Sequence, residues 1–247
     1  MLKLMDLLTE GVYDKGIFKA VFLAGGPGSG KSYAAKQLFG IPEKINVSAT
    51  GMKMINQDKE LKFLLKKYGF DPAHLAYMPD ELFQQLTSGN DSLRSFSKDL
   101  NQQRMKGYMK GKLGMIIDGT GHDYGKIVKK KKMVEDEGYD TYMVFVNTSL
   151  DVAQKRNKER DRVLPEKIVE KSWKNVQNNL GAFQSLFGSN FVIVDNSKFL
   201  SAKDAASKFG NLTKKFINKW SGEPIKNPIG KRWVQDQLRL KKVGIKK

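Results

Sequence analysis

The chain has no cysteine and only two histidines, His74 and His122. The first absence excludes disulfides, thiolate metal sites and a cysteine nucleophile. The second leaves too few imidazoles for a histidine metal centre or a hydrolase triad. No apolar run reaches about 18 residues, so no transmembrane helix is expected. The opening MLKLMDLLTE carries Asp6 and Glu10 and lacks a small-residue cleavage site, which argues against a secretory signal. A cysteine-free chain without these signals fits a reducing compartment, and a cytoplasmic location is the expectation. Acidic residues are also scarce. Against 26 Asp and Glu stand 44 Lys and Arg, a formal net charge of +18 over 247 residues. The excess is uneven, with 14 Lys and Arg but 3 Asp and Glu between Ser197 and Lys247. Such asymmetry has two readings: an anionic partner, nucleic acid first among them, or a solvated lysine-rich surface.

What the chain does have is a regular alternation of strand and helix patterns, the signature of a mostly parallel sheet. Strands are expected at KAVFLAG (19–25), MKMIN (52–56), GMIID (114–118), TYMVFVN (141–147) and NFVIVDN (190–196). Helical periodicity lies between them, at about 31–39, 59–68, 92–112, 124–137, 150–160 and 166–186. A further helix is expected over 201–220, interrupted near Gly210, and then a Gly/Pro-punctuated linker, SGEPIKNPIGK. RWVQDQLRLKK reads as a short basic amphipathic helix. The expected organisation is one α/β domain over residues 1–220 and a basic C-terminal extension over 221–247.

The first strand runs into VFLAGGPGSGKS, residues 21–32. Glycine is costly in conformational entropy and is used where backbone must approach something closely. Gly25, four residues, then Gly30-Lys31-Ser32 is the spacing of a loop that wraps nucleotide phosphates. Gly25, Gly26, Pro27, Gly28, Ser29, Gly30, Lys31 and Ser32 are therefore the expected nucleotide-binding residues. Lys31 would reach the terminal phosphates and the Ser32 hydroxyl would ligate Mg²⁺. The amides opening the next helix would face the anion. A dinucleotide fingerprint is excluded, because that register starting at Gly26 puts Lys31 at its final glycine.

In such sheets ligands collect at the carboxyl ends of the strands. Three segments stand there: NQDKE with Asp58, DGTGHD with Asp118, and DVAQKRNKERDR with Arg156, Arg160 and Arg162. Together with the loop they are the parts phosphoryl transfer needs: a base for the acceptor hydroxyl, magnesium, and cations for the charge on the moving group. Each has a plainer alternative. Asp58 could cap the next helix, Asp118 could cap a turn before Gly119, and the arginines could line a solvated helix face. Arg156 and Arg160, four apart, are expected on one face of that helix. Lys129 to Lys132 read as a solvated face, with Ile127, Val128 and Val134 as the buried stripe.

With these residues placed, the chain resembles the P-loop kinases that include zeta toxins and polynucleotide 5′-hydroxyl kinases, from about Phe18 to Asn196. INQD resembles the segment that presents the acceptor-activating aspartate of the polynucleotide kinases, and KRNKER resembles their lid helix. The resemblance implies a general-base role for Asp58, a contact of Arg160 with the transferring phosphate, and support of the lid by Arg156. IIDGTGHD, GYDTYMVFV, LPEKIVEKSWKNVQNNL and VIVDNS look more like zeta toxins. On that side Asp118 would contact substrate, with Arg162 as a second basic lid residue. Two positions depart from the pattern: Leu61 replaces an arginine three residues after the base, and His122 stands where a basic residue follows Gly-Thr-Gly. The resemblance implies a kinase using ATP and Mg²⁺, with a nucleic-acid 5′ end, a nucleotide or a sugar nucleotide as acceptor. A nucleotide hydrolase acting on nucleic acid and a nucleotide-loaded binding module are the rival expectations.

Overall fold

A computed structural model of the chain describes residues 11–42, 47–160, 163–198 and 201–242. Its centre is a five-stranded sheet: β1 (Lys19–Ala24), β2 (Lys53–Ile55), β3 (Met115–Asp118), β4 (Asp140–Asn147) and β5 (Phe191–Asp195). The strand order is β2-β3-β1-β4-β5, and every pairing is parallel. Crossovers joining parallel strands place helices on both faces, so the inner strands are apolar on both sides. All six residues of β1 are buried. Val21 and Leu23 face one layer, while Ala20, Phe22 and Ala24 face the other.

The first layer holds α1 (Lys31–Phe39) and a C-terminal group, α9 (Ala202–Leu212), a π turn (Thr213–Ile217) and α10 (Asn218–Gly222). The opposite layer holds α4 (Leu93–Lys110), α5 (Tyr124–Asp136), α7 (Glu166–Asn178) and α8 (Leu180–Phe187). A smaller cluster, Leu61, Leu64, Leu65, Leu75, Leu86 and Leu93, joins α2 (Gln57–Lys67), a 3₁₀ turn (Pro72–Tyr77) and α3 (Asp80–Thr87) to the start of α4. Leu61, the residue that departs from the kinase pattern, is core of this cluster. The remaining helices are α6 (Leu150–Lys158) and α11 (Pro228–Lys242). Among the described residues no helix is long and apolar enough to cross a membrane.

Two helical expectations are corrected. The segment 166–186 is two helices broken at Asn179, because the Asn179 side chain donates to the carbonyls of Gly121 (3.0 Å) and His122 (3.2 Å). The interruption expected at Gly210 comes three residues later. Gly210 is exposed with open space around its Cα, so the helix passes through it. The π turn and α10 that follow bury Ile217 and Trp220 against the sheet, and the Thr213 hydroxyl donates to the Leu38 carbonyl at 3.1 Å. On α5, Ile127 and Val134 are buried, Val128 is half-buried, and Lys129, Lys130 and Lys132 are exposed; Lys131 departs from the expected solvated face, because its ammonium pairs with Glu135 at 2.6 Å and lies over the Phe187 ring.

Residues 224–234 lie against the core. The Lys226 and Asn227 amides donate to the Asp140 carboxylate at 2.8–3.1 Å, and Asp140 also holds the buried Lys19 ammonium at 2.9 Å. Gly230 packs on Gly138, and Trp233 meets the Phe18 ring edge-on at 5.4 Å. A buried ion pair is stabilising only when its remaining valences are filled, and the amides of this segment fill those of Asp140. Lys231, Arg232, Arg239 and Lys242 stay exposed on the outer face of α11.

Candidate active site

The loop from Gly25 to Gly30 leaves β1 and turns into α1 at one end of the sheet, above strands β3 and β4. Two of its glycines are required by their surroundings. Gly28 has φ +75°, and a Cβ there would sit 2.1 Å from the Ala153 carbonyl oxygen of α6. Gly30 has φ +84°, and its Cβ would meet the Asn196 amide nitrogen at 2.3 Å. Both positions combine a left-handed backbone with a close neighbour, which no L side chain tolerates without displacement. Asn196, just past β5, donates to the Ser29 carbonyl at 2.8 Å and so ties the loop to the sheet.

Gly26, Pro27, Gly28, Gly30, Lys31 and Ser32 line a cleft of about 560 Å³. Gly25 and Ser29 stand behind it. The Gly25 amide donates to the Thr120 carbonyl at 3.0 Å, and the Ser29 side chain is buried. Lys31 folds back over the loop, donating to the carbonyls of Gly25 (2.5 Å) and Gly26 (3.3 Å). Burial lowers the affinity of its amine for a proton, while Asp118 and then Asp58 oppose that shift and Arg160 adds to it. These four charges are close enough to sense one another, so the loop, two carboxylates and an arginine share one site.

Asp58 sits in the first turn of α2 and lines the cleft. It does not cap the helix. Asn56 does, its side chain accepting from the amides of Asp58 (2.9 Å) and Lys59 (3.3 Å). Asp118 ends β3, next to β1, and one of its oxygens accepts from the Asn56 amide at 2.8 Å. It makes no turn-capping bond, and its Oδ1 is buried without a hydrogen-bond partner. Asn56 thus presents one carboxylate and orients the other. An Asn between a strand and an acidic helix start is a cap signal that sequence reading could have used.

Burial pushes the Asp118 carboxyl up to about 6; Lys31 pulls it back, Asp58 adds to the rise, and Arg160 and Lys59 lower it. The folded value exceeds that of an unfolded carboxyl. The ionisation penalty is therefore full above about 6 and gone below the ordinary carboxylate range. Asp118→Asn should accordingly raise the melting temperature of the ligand-free protein at pH 8, and the gain should vanish by pH 4, near the ordinary carboxylate pKa of about 3.9. Paired thermal melts across this range check it. A gain independent of pH would assign the effect to packing.

The basic segment is arranged differently from expectation. Its helix α6 stops at Lys158, so Arg156 and Arg160 do not share a helix face. The reason is Asn157, fully buried, which donates to the Leu164 carbonyl (2.7 Å) and accepts from the Leu164 amide (3.2 Å). Side-chain bonds of this kind compete with the helical ladder and close a loop instead. Arg156 donates to the carbonyls of Asn196 (2.8 Å) and Lys198 (3.5 Å), bracing α6 against the exit of β5. Arg156 and Arg160 both line the cleft, Arg160 from beyond the end of the helix. Arg162 lies outside the described residues.

Other lining residues had no individual role in the sequence reading: Phe83 and Arg94, and Ile168, Lys171 and Asn175 of α7, which fall in the segment that resembles zeta toxins. They come from segments far apart in the chain, and only the fold brings them together. The described residues contain no cluster of three or more carboxylate, histidine or cysteine ligands. A Mg²⁺ ion accompanying a nucleotide fits the residues present all the same. The Ser32 hydroxyl lines the cleft, and the unpartnered Asp118 oxygen is an acceptor for water on such an ion.

The sequence matches the family described as an AAA domain over residues 21–182. The chain belongs to that family, and its five-stranded parallel sheet is the P-loop NTPase fold. No curated protein matches the sequence. Among solved structures, the AvrRxo1-ORF1:-ORF2 complex is similar at 12% identity, covering 95% of this chain and 83% of that one, with a TM-score of 0.52. The PezAT chromosomal toxin-antitoxin system of Streptococcus pneumoniae is similar at 14% identity, covering 89% and 93%, with a TM-score of 0.48. The Pnkp1/Rnl/Hen1 RNA repair complex is similar at 16% identity and a TM-score of 0.48; 68% of this chain is covered, and it spans only 46% of that one. The placement among P-loop kinases of the zeta-toxin and polynucleotide-kinase group, made from the motifs, stands beside these matches.

Proposed function

We propose that this protein is an ATP-dependent kinase that moves the γ-phosphoryl group of ATP to an alcohol acceptor: a nucleic-acid 5′ end, a nucleotide or a sugar nucleotide. One observation supports the reading above the others. A single cleft at the loop end of the sheet is lined by Lys31, Ser32, Asp58, Asp118 and Arg160. In this reading the loop and Lys31 bind the phosphates. Asp58 takes the acceptor proton as the new O–P bond forms and the bond to the β,γ-bridging oxygen breaks, releasing ADP. Arg160 faces the charge spread over the moving group, and Arg156 braces the helix that leads to it. Ser32 and Asp118 would hold Mg²⁺, whose charge neutralises the phosphate oxygens when it is bound. The cysteine-free composition supports a reducing, cytoplasmic setting.

The test is incubation with γ-labelled ATP and a panel of hydroxyl acceptors. Label on an acceptor is the expected result, whereas label released only as free phosphate would make the protein a hydrolase. Lys31→Ala should abolish transfer and weaken ATP binding, since a hydrogen bond to a charged group contributes about 1.5–3 kcal/mol. The transition state should lose more than the ground state. Unchanged turnover in this variant would overturn the phosphate-loop assignment.

A further inference from the structure

β2 and β3 run parallel with Ile55 level with Ile117, so the residues that follow, Asn56 and Asp118, leave the sheet side by side. On its other edge β3 pairs with β1, where Asp118 is level with Leu23, two residues before Gly25 of the phosphate loop. Asn56 stands where this end of the sheet meets the start of α2. It is only 6% exposed, and it does not itself line the cleft.

Two opposite kinds of hydrogen bond are required at that position. The Asp58 and Lys59 amides lie in the first turn of α2, where they have no partner within the helix, and an amide can only donate. An ionised Asp118 can only accept. The side chain between them must therefore accept on one side and donate on the other. A carboxamide does both. Its oxygen takes the Asp58 amide at 2.9 Å and the Lys59 amide at 3.3 Å, and its nitrogen donates to Asp118 Oδ2 at 2.8 Å. Aspartate caps a helix as well as asparagine but has no donor when ionised; serine caps it with one oxygen and has no second arm for Asp118. A helix cap alone would not select asparagine over either.

The two halves of the carboxamide act on different groups of the site. Holding Oδ2 sets the plane of the Asp118 carboxylate and leaves Oδ1 buried, with no hydrogen-bond partner among the described residues. Holding the two amides sets the turn from which Asp58 lines the cleft. The helix itself has other supports. Gln57 donates to the Ser97 hydroxyl and the Arg94 carbonyl of α4 at 3.4 Å, Glu60 pairs with Arg104, and Leu61, Leu64 and Leu65 are buried. α2 would persist without Asn56, whereas the fixed relation between the two carboxylates would not.

We propose that Asn56 is a positioning residue of the phosphotransfer site: its oxygen fixes the turn that carries Asp58, and its nitrogen holds Asp118 so that Oδ1 is left for the Mg²⁺ that accompanies the nucleotide. The proposal rests on the phosphotransfer reading above and adds a residue outside the loop, the base and the basic segment.

The test compares Asn56→Ser, which keeps a cap and removes the donor, with Asn56→Ala, which removes both; Asn56→Thr repeats the serine chemistry if that variant folds poorly. Calorimetric titration of ATP into the full chain at a series of Mg²⁺ concentrations needs no turnover. Losing an outer partner of a metal-binding carboxylate costs about 10–100-fold in metal affinity. The Mg²⁺ concentration that half-maximally tightens ATP binding should rise by that factor in both variants, with Mg²⁺-free ATP binding unchanged. In an Asp118→Ala background Asn56→Ser should add nothing. The serine variant should also melt above the alanine variant. At saturating Mg²⁺ its kcat should return to wild type, while that of the alanine variant stays lower by up to about 10²-fold, the cost of a misplacement of about 1 Å. An unchanged Mg²⁺ requirement in the serine variant would overturn the proposal and leave Asn56 a helix cap. So would an equal effect of Asn56→Ser with and without Asp118. A raised Mg²⁺ requirement without transfer to any acceptor would overturn the kinase reading and leave the hold of Asn56 on Asp118 standing.

Discussion

Arg160→Ala should lower phosphoryl transfer by about 10³–10⁵-fold, the scale of an arginine on a transferring phosphoryl group. ATP affinity should change little. The expectation follows from the loop that Asn157 creates. By ending α6 at Lys158, it carries Arg160 off the helix and onto the wall of the cleft, where its charge acts on Lys31 and Asp118. Arg156→Ala is the contrast. Its guanidinium is engaged with the carbonyls of Asn196 and Lys198, so its loss should lower the melting temperature and reduce kcat far less. Arg160→Lys keeps a charge but loses the planar fork, and it should fall between wild type and alanine. The measurement is kcat with saturating ATP, paired with thermal melts. Equal mild losses at Arg156 and Arg160 would return the segment to a solvated surface.

Asp58→Asn should cost about 10²–10⁴-fold in kcat, the usual worth of a positioned general base, with ATP affinity nearly unchanged. The substitution keeps shape and removes only the ability to take a proton. It leaves the helix start intact, because Asn56 rather than Asp58 caps α2. A stability loss is therefore not expected, and that separates this carboxylate from a structural one. Single-turnover kinetics with prebound ATP isolate the chemical step. If ATP binding collapsed while stability held, Asp58 would belong with the magnesium-binding groups.

The phosphate loop was legible in sequence because its requirements are local. A left-handed glycine, a lysine and a hydroxyl at fixed spacing are set by backbone geometry within eight residues, and the flanking strand and helix follow from hydrophobic period. For the same reason the five strands and their alternation with helices could be read directly. The break at Asn179 and the end of α6 at Lys158 could not. Each depends on an Asn side chain meeting backbone from another segment, and periodicity does not record such meetings.

The C-terminal residues show the same division. Composition marked them as basic, yet Asp140 and Phe18, more than eighty residues earlier, decide that residues 224–234 lie on the core. Lys129 to Lys132 of α5 read in the sequence as a solvated face, and the cations of α4 carried no reading; only the strand order sets the two helices on the same face of the sheet. Sequence alone determined which residue types and local turns are present. Tertiary structure decided which of them meet, because like charges and distant carboxylates act on one another through space and not along the chain.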